Sequence, residues 1–379
     1  MSRITNNSHD GSIGGDNGSN KNKNLLNTWF PTTLNPVIFS APMYGTATGA
    51  LAAEVSKAGG FGFIPAGYDY SPSSPQLSVM SQELDTARSI LGLSGEELPV
   101  GVGFLLCHSS VSYLIETTIP VLNQHRPQAV WLFAPRDKDL ASGLIKRIVE
   151  ALRGEGYKVF FQVGTVASAR QALGDGADVV VAQGADAGGH QFVGGAGLVG
   201  LVPEVLEMVE TEFGEEKRRK EGRERVVVVA AGGVVEGRGM AGALALGAEG
   251  VAMGTRFIMA KEANTPECRR KLIAETVDGG PATFKHPVMD QIQATGIWPS
   301  VFDGRAIVNT AIQDFQNGVS LEENITLCKE ARAVGDVSRE FTWAGTGVGL
   351  VKDVQPAGDI VKEVREGAIA RIKRLQNLL

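Results

Sequence analysis

The sequence predicts an α/β fold: a (β/α)₈ TIM barrel with a smaller inserted lid or substrate domain. Three observations predict it. Eight short β-rich runs follow one another between Pro36 and Phe257. Most of them are continuously apolar rather than alternating, as parallel strands buried on both faces must be. Helical stretches separate the runs without antiparallel hairpin signals, which is the pattern of repeated βα units. An open doubly wound sheet has the same alternation, and periodicity alone does not separate the two.

In order, the runs are Pro36–Met43, Phe61–Gly67, Pro99–Leu106, Ala129–Pro135, Lys158–Gly164, Val179–Gly184, Arg225–Gly233 and Gly250–Phe257. The first crossover places Leu51, Val55 and Ala58 on one helical stripe. Asp139–Arg153 reads as a single helix, because Leu140, Leu144, Ile148 and Leu152 recur every four residues beside Ile145 and Val149. Pro203 sits where the first turn of a helix tolerates proline. After Phe257 the regularity stops. The expected boundaries are a disordered tail over 1–24, a barrel over 25–264 and 345–379, and an inserted lid over 265–344. Ile360–Leu379 is amphipathic again and is expected to return as the eighth outer helix.

Composition narrows the class of partner. The 379 residues carry a net charge of −6 with 43% hydrophobic and 21% charged residues, which points away from nucleic acid and anionic membranes. Cys107, Cys268 and Cys328 are odd in number, far apart and without metal-ligand spacing, so a reducing cytoplasmic setting and no metal site are expected. The Asn-, Gly- and Ser-rich start lacks the apolar core of a signal peptide, and no run approaches the ~18 apolar residues of a membrane span. The 48 glycines suit tight βα turns and close approach of backbone to a ligand.

In such barrels chemistry lies at the C-terminal strand ends, with phosphate held after strands seven and eight. Strand seven runs into Gly232-Gly233, and strand eight ends Ala252-Met253-Gly254-Thr255. Glycines there let backbone N–H groups reach phosphate oxygens, and Thr255 adds a hydroxyl donor. Two plain tight turns are the bland alternative. After strand six, Gln183 leads into a Gly-rich stretch, read as a loop, that contains Gly188 and ends on His190. His190 is one of five histidines. His108, His125 and His286 have ordinary surface or lid contexts, whereas His190 alone sits at a barrel strand end, where a catalytic role outweighs a backbone-bonded one. Pro42 and Met43 end the first strand and could pack on a planar ring.

Taken together, several stretches resemble the nitronate monooxygenases, also called 2-nitropropane dioxygenases, in their fungal-type form. They are Ala41-Pro42-Met43, Gln162-Val163-Gly164-Thr165-Val166, Gln183 through His190, Ala231-Gly232-Gly233 with Gly237-Arg238-Gly239, Ala245-Leu246-Gly247-Ala248 and Met253 through Phe257. Trp343 through Gly347 and the last helix extend the likeness. The resemblance implies a barrel that binds FMN noncovalently. Carried over by position, Gln162, Gln183, Gly188, Gly232, Gly233, Ala252, Met253, Gly254 and Thr255 would contact FMN, Pro42 and Met43 would pack near its ring, and His190 would be the active-site histidine. One departure stands out. Many bacterial members have Gly-Val-Asn after strand three, whose Asn contacts the flavin, and this chain has Gly101-Val102-Gly103.

The activity so implied is oxidation of alkyl nitronates, extended to nitroalkanes by removal of their α-proton. One electron passes to FMN, and O₂ completes formation of a carbonyl compound and nitrite. His190 would bind the anion when protonated or take the proton when neutral. Arg305 in the lid could attract a carboxylated nitronate, although a surface salt bridge is the favoured reading. Two other readings remain open: an NAD(P)H-dependent flavin reductase acting on quinones or enoyl thioesters, and a non-redox barrel holding a phosphorylated substrate. No strand end carries a lysine placed for a Schiff base, which lowers the last option.

Overall fold

A computed structural model describes residues 24–378. The tail expected over 1–24 therefore lies outside the described residues, apart from Asn24, which caps a short helix by accepting from Leu26 N.

The strands, in chain order, are β1 (Val37–Ser40), β2 (Phe61–Gly67), β3 (Leu98–Leu105), β4 (Pro127–Phe133), β5 (Lys158–Val163), β6 (Val179–Gln183), β7 (Gly189–Phe192), β8 (Val227–Ala231), β9 (Gly250–Met253), β10 (Thr283–His286) and β11 (Phe302–Ile307). β1–β6, β8 and β9 form a closed barrel. All its pairings are parallel, and Val37 opposite Gly250 brings β9 back onto β1. Closure excludes the open doubly wound sheet.

Strand parity explains the apolar runs. Val37, Phe39, Phe61, Phe63, Trp131, Phe160, Val181 and Val229 fill the barrel interior. Their neighbours Ile38, Ile64, Val102, Val130, Val180 and Val228 pack outward against the helices. Both faces are buried, so no polar alternation survives in the sequence. A plug at the barrel floor was not expected. Helix Leu25–Trp29 places Leu26 and Phe30 inside the barrel, with the Phe30 ring 4.3 Å from that of Phe61.

The outer layer differs from expectation in two places. Asp139–Arg153 is not one helix: it divides into Asp137–Ala141 and Leu144–Gly154 at Gly143, whose φ of +70° no continuous right-handed helix accommodates. Pro203 is not in a first turn either. Its helix begins at Leu198, and the proline lies inside it, tolerated at the cost of one backbone bond. The last helix, Ala357–Gln376, packs between Gly237–Ala245 and Gly49–Lys57 and so takes the eighth outer place. A Cβ on Gly237 would lie 2.4 Å from the carbonyl carbon of Gly367, so this crossing requires bare backbone. Arg365 ties the helix to the barrel by donating to the carbonyls of Pro36, Ala58 and Gly59.

A second sheet, in the order β10-β11-β7, covers the C-terminal face of the barrel. Its third strand corrects the sequence reading, because Gly189–Phe192 is not loop. It pairs antiparallel with β11, with His190 opposite Gly304 and Phe192 opposite Phe302. The segment after β6 is thus taken up by the lid sheet. Trp343 lies over Gly304, where a Cβ would meet the indole at 2.4 Å.

Candidate active site

A cavity of about 600 Å³ opens where the barrel's C-terminal face meets the lid sheet. Pro42, Met43, Gln162, Gln183, Gly188, His190, Gly232, Gly233, Ala252, Gly254 and Thr255 all line it. One expected residue does not. Met253 is buried between the strands and the helices, because it follows the inward-facing Ala252 on the same strand and parity turns it outward.

The polar lining is oriented by its own neighbours. Gln162 Oε1 accepts from Trp131 Nε1 at 2.9 Å, which leaves the Gln162 amide N–H groups as donors. Gln183 Nε2 donates to the His190 carbonyl at 3.1 Å, and its Oε1 is buried without a partner among the described residues. Thr255 Oγ1 accepts from Gly345 N at 3.0 Å and keeps its own hydrogen to donate. Gly232 and Gly233 have φ of +108° and +71°, a left-handed turn that places bare backbone on the cavity wall. Gly188 has a different reason for being glycine. A Cβ there would sit 2.4 Å from backbone atoms of Ala344 and Gly345, so two chain segments cross at contact.

The missing Asn of the third strand finds an explanation. A Cβ on Gly103 would lie 2.3 Å from Pro42 Cβ, so the proline ring occupies the space an asparagine side chain would need.

His190 is held from the lid. Its Nε2 lies 2.9 and 3.0 Å from the two carboxylate oxygens of Asp290, in the helix Val288–Gln293. Its ring stacks on Trp298 at 3.6 Å with an interplanar angle of 8°, and Trp343 lies at 4.9 Å. Asp290 was missed by sequence reasoning. It lies 100 residues from His190 in a stretch without any motif, so no local signal could have found it. Trp343 entered the sequence reading as the start of the Trp343–Gly347 stretch that extends the family likeness.

Two further expectations are corrected, for Arg305 and His125. Arg305 neither lines the cavity nor forms a surface salt bridge: it donates to Thr283 Oγ1 and the Ala185 carbonyl, pinning the Gly-rich segment to the lid, and burial holds its pKa below the usual guanidinium range. Arg269 is the permanent cation on the cavity wall among the described residues, paired with Glu340 at 3.2 Å. His125 is buried rather than superficial, with its Nε2 2.8 Å from Ser81 Oγ, and desolvation lowers its pKa.

Cys107, buried behind Phe133 and Phe302, has its thiol pushed up to about 12 by desolvation. It is therefore neutral near pH 8 and is no nucleophile. Exposed Cys268 is expected to react with an alkylating reagent at least about 10²-fold faster than Cys107 in the folded protein, a difference that denaturant removes. Mass spectrometry of the labelled peptides checks it, and equal labelling of both in native protein would contradict the burial argument.

Comparison with known proteins decides the family. The family model described as Nitronate monooxygenase matches residues 141–367. A nitronate monooxygenase of Neurospora crassa is 56% identical over 363 residues, spanning 93% of this chain and 94% of that protein. The chain belongs to the nitronate monooxygenase family. The nitronate monooxygenase npaC of Metarhizium robertsii is 34% identical, across 93% of this chain and 96% of its own. Both relatives are fungal, in keeping with the fungal-type likeness of the sequence. Among solved structures, FabK from Thermotoga maritima superposes with a TM-score of 0.70 at 24% identity, covering 94% of this chain and 99% of its own, which bears on the fold alone. Members of the nitronate monooxygenase family are oxidoreductases, and the curated relatives do not favour the NAD(P)H-dependent reductase reading. Among the described residues, no helix is long and apolar enough to cross a membrane.

Proposed function

We propose that the chain binds FMN in this cavity and uses it, with O₂, to convert nitronates into a carbonyl compound and nitrite. The observation that carries the reading is that one cavity brings together the bare Gly232–Gly233 turn and His190. The residues fit the cofactor. A flavin's pyrimidine edge alternates acceptor and donor groups, and Gln162 offers donors while the buried Gln183 Oε1 lacks one. An unpartnered buried acceptor costs about 1–3 kcal/mol, which a ligand N–H would recover. The phosphate would lie at Gly232, Gly233, Gly254 and Thr255, and Pro42 with Met43 would support the ring. Gly188 contributes by letting the backbones cross. When bound, FMN supplies the redox chemistry that no side chain here can perform.

The chain's own residues then do three things. His190, protonated, binds the nitronate oxygens by a charge-assisted hydrogen bond. Neutral, it takes the α-proton of a nitroalkane. Trp298, Trp343 and the lid sheet shelter the reacting atoms from water, which strengthens both interactions. The inserted segment over 265–344, joined by β7, is the substrate-shaping part, with the barrel over 25–264 and 345–379. The unpaired cysteines suit a reducing, cytoplasmic setting.

Nitrite release and O₂ consumption with ethyl nitronate test the reading. Both are expected without added nicotinamide, and NADH consumption without nitrite would overturn it. Two substitutions extend the test. Gln183→Leu is expected to weaken FMN retention by about tenfold, read by fluorescence of released flavin, because the ring would lose one buried hydrogen bond. Unchanged retention would remove Gln183 from the cofactor site. Arg269→Gln is expected to raise KM about tenfold for a carboxylated nitronate such as propionate 3-nitronate and to leave ethyl nitronate within about twofold. Equal effects on both would deny the guanidinium a role in anion recognition.

A further inference from the structure

We propose that Asp290 is the positioning residue of the active-site histidine: it fixes Nε2 as the protonated nitrogen and leaves Nδ1 to receive the substrate's α-proton. The inference rests on the role given to His190 above. Both Asp290 carboxylate oxygens lie within 3.0 Å of His190 Nε2. An ionised carboxylate only accepts, so a neutral imidazole against it carries its hydrogen on Nε2. No hydrogen-bond partner takes Nδ1 among the described residues, and His190 lines the cavity. The stacked Trp298 ring at 3.6 Å blocks a flip of the imidazole that would exchange the two nitrogens.

Asp290 is itself fixed. Thr295 Oγ1 donates to its Oδ1 at 3.0 Å, and Thr295 N donates to its carbonyl at 3.1 Å. The carboxylate and the imidazole side chains are only 13% and 14% exposed, so solvent screens their attraction little. Asp290 and Trp298 both belong to the lid, which makes the lid part of the base rather than a cover over it.

The proton transfer balances without an electron acceptor. The substrate's α-C–H bond breaks, and its proton goes to Nδ1. The electron pair forms the C=N bond while an N=O pair moves onto oxygen, giving the nitronate anion. The resulting imidazolium stands against the Asp290 carboxylate, which offsets its charge. Other ionisable groups compete little. His286 is two strands away from His190 across Gly304, and Trp343 covers that glycine. Lys285 is paired with Asp303 at 2.7 Å, and Arg305 is bound to Thr283 and Ala185. Cys107 lies within electrostatic reach of Asp290 as a neutral thiol, and Arg136 beyond it is paired with Asp139. Arg269 on the cavity wall is paired with Glu340.

The test uses holoenzyme with Asp290→Asn and Asp290→Glu, measuring kcat/KM against pH for nitroethane and for preformed ethyl nitronate. Asp290→Asn is expected to lose about 10²-fold on nitroethane and less than about threefold on the nitronate. Asp290→Glu should recover most of the rate. In ¹⁵N-histidine spectra of the wild type, the signal lost in His190→Asn should report an unprotonated Nδ1. A wild-type nitroethane rate in Asp290→Asn would overturn the inference, as would equal losses on both substrates or a protonated Nδ1. Absence of ethyl nitronate oxidation by the wild type would instead overturn the functional reading, and the inference with it.

Discussion

Asparagine in place of His190 is expected to lower kcat/KM for neutral nitroalkanes by about 10²–10⁴-fold, and for preformed nitronates by less than about tenfold. A nitroalkane must lose its α-proton before oxidation, and His190 is a base on the cavity wall whose second nitrogen has no protein partner among the described residues. A nitronate arrives already deprotonated and needs only orientation, which the asparagine amide partly supplies. Asn is also close to imidazole in size, so the Trp298 stack at 3.6 Å and the lid around it should survive. Nitrite release from the two substrate forms at one pH measures the difference. Equal losses on both would reduce His190 to a binding role.

The second large effect is expected from Gly188→Ala. The added Cβ would lie 2.4 Å from the Ala344 carbonyl carbon and the Gly345 nitrogen, and a Cβ on Gly345 would in turn lie 2.4 Å from the Asp186 carbonyl oxygen. Neither partner is a flexible side chain, so the two backbone segments must part. Overpacking of this kind costs about 1–3 kcal/mol. The displaced segment leads directly into β7 and His190, and a shift near 1 Å at a reacting group costs about 10²-fold in rate. The variant should therefore lose several degrees of Tm and at least about tenfold in kcat/KM on either substrate form. Gly200→Ala is the control. It lies in the helix Leu198–Phe213 with nothing within 4 Å of the added Cβ, so it should be neutral or slightly stabilising. Gly188→Ala that keeps both stability and rate would contradict the crossing.

The barrel was legible because its strands are buried twice over. A run such as Val227–Ala231 has no polar face to conceal, and eight of them in alternation with helices leave little choice of architecture. Elements defined by distant partners were not legible. β7 is the four residues Gly189–Phe192, which look like loop until β11 supplies their hydrogen bonds. The end of the eighth barrel strand was overdrawn: the sequence expects a strand to Phe257, yet after Gly254 the chain turns into the helix Thr255–Ile258. The helix break at Gly143 was hidden by an unbroken four-residue periodicity on either side of it.

The site divides along the same line. Gln162, Gln183, Gly232, Gly233 and Thr255 were legible as candidates because each lies at or just beyond the C-terminal end of a barrel strand, where ligands are bound. The Met253 side chain does not line the cavity, since one residue along a strand exchanges the cavity for the helix layer. Asp290 and Arg269 belong to short lid helices without a sequence motif, and only the folded chain brings them to His190 and to the cavity wall. Arg305 illustrates the converse. Its setting in an Asp-Gly-Arg stretch invited a role with substrate, but its donors are spent on Thr283 and Ala185.

The most direct test of the central claim is an anaerobic visible spectrum of the purified protein, before and after addition of a nitronate, with NADH in a parallel sample. The account predicts a bound-flavin spectrum that changes on mixing with the nitronate and stays oxidised with NADH. A flavin bleached by NADH and indifferent to the nitronate, or a preparation that holds no flavin at all, would contradict it.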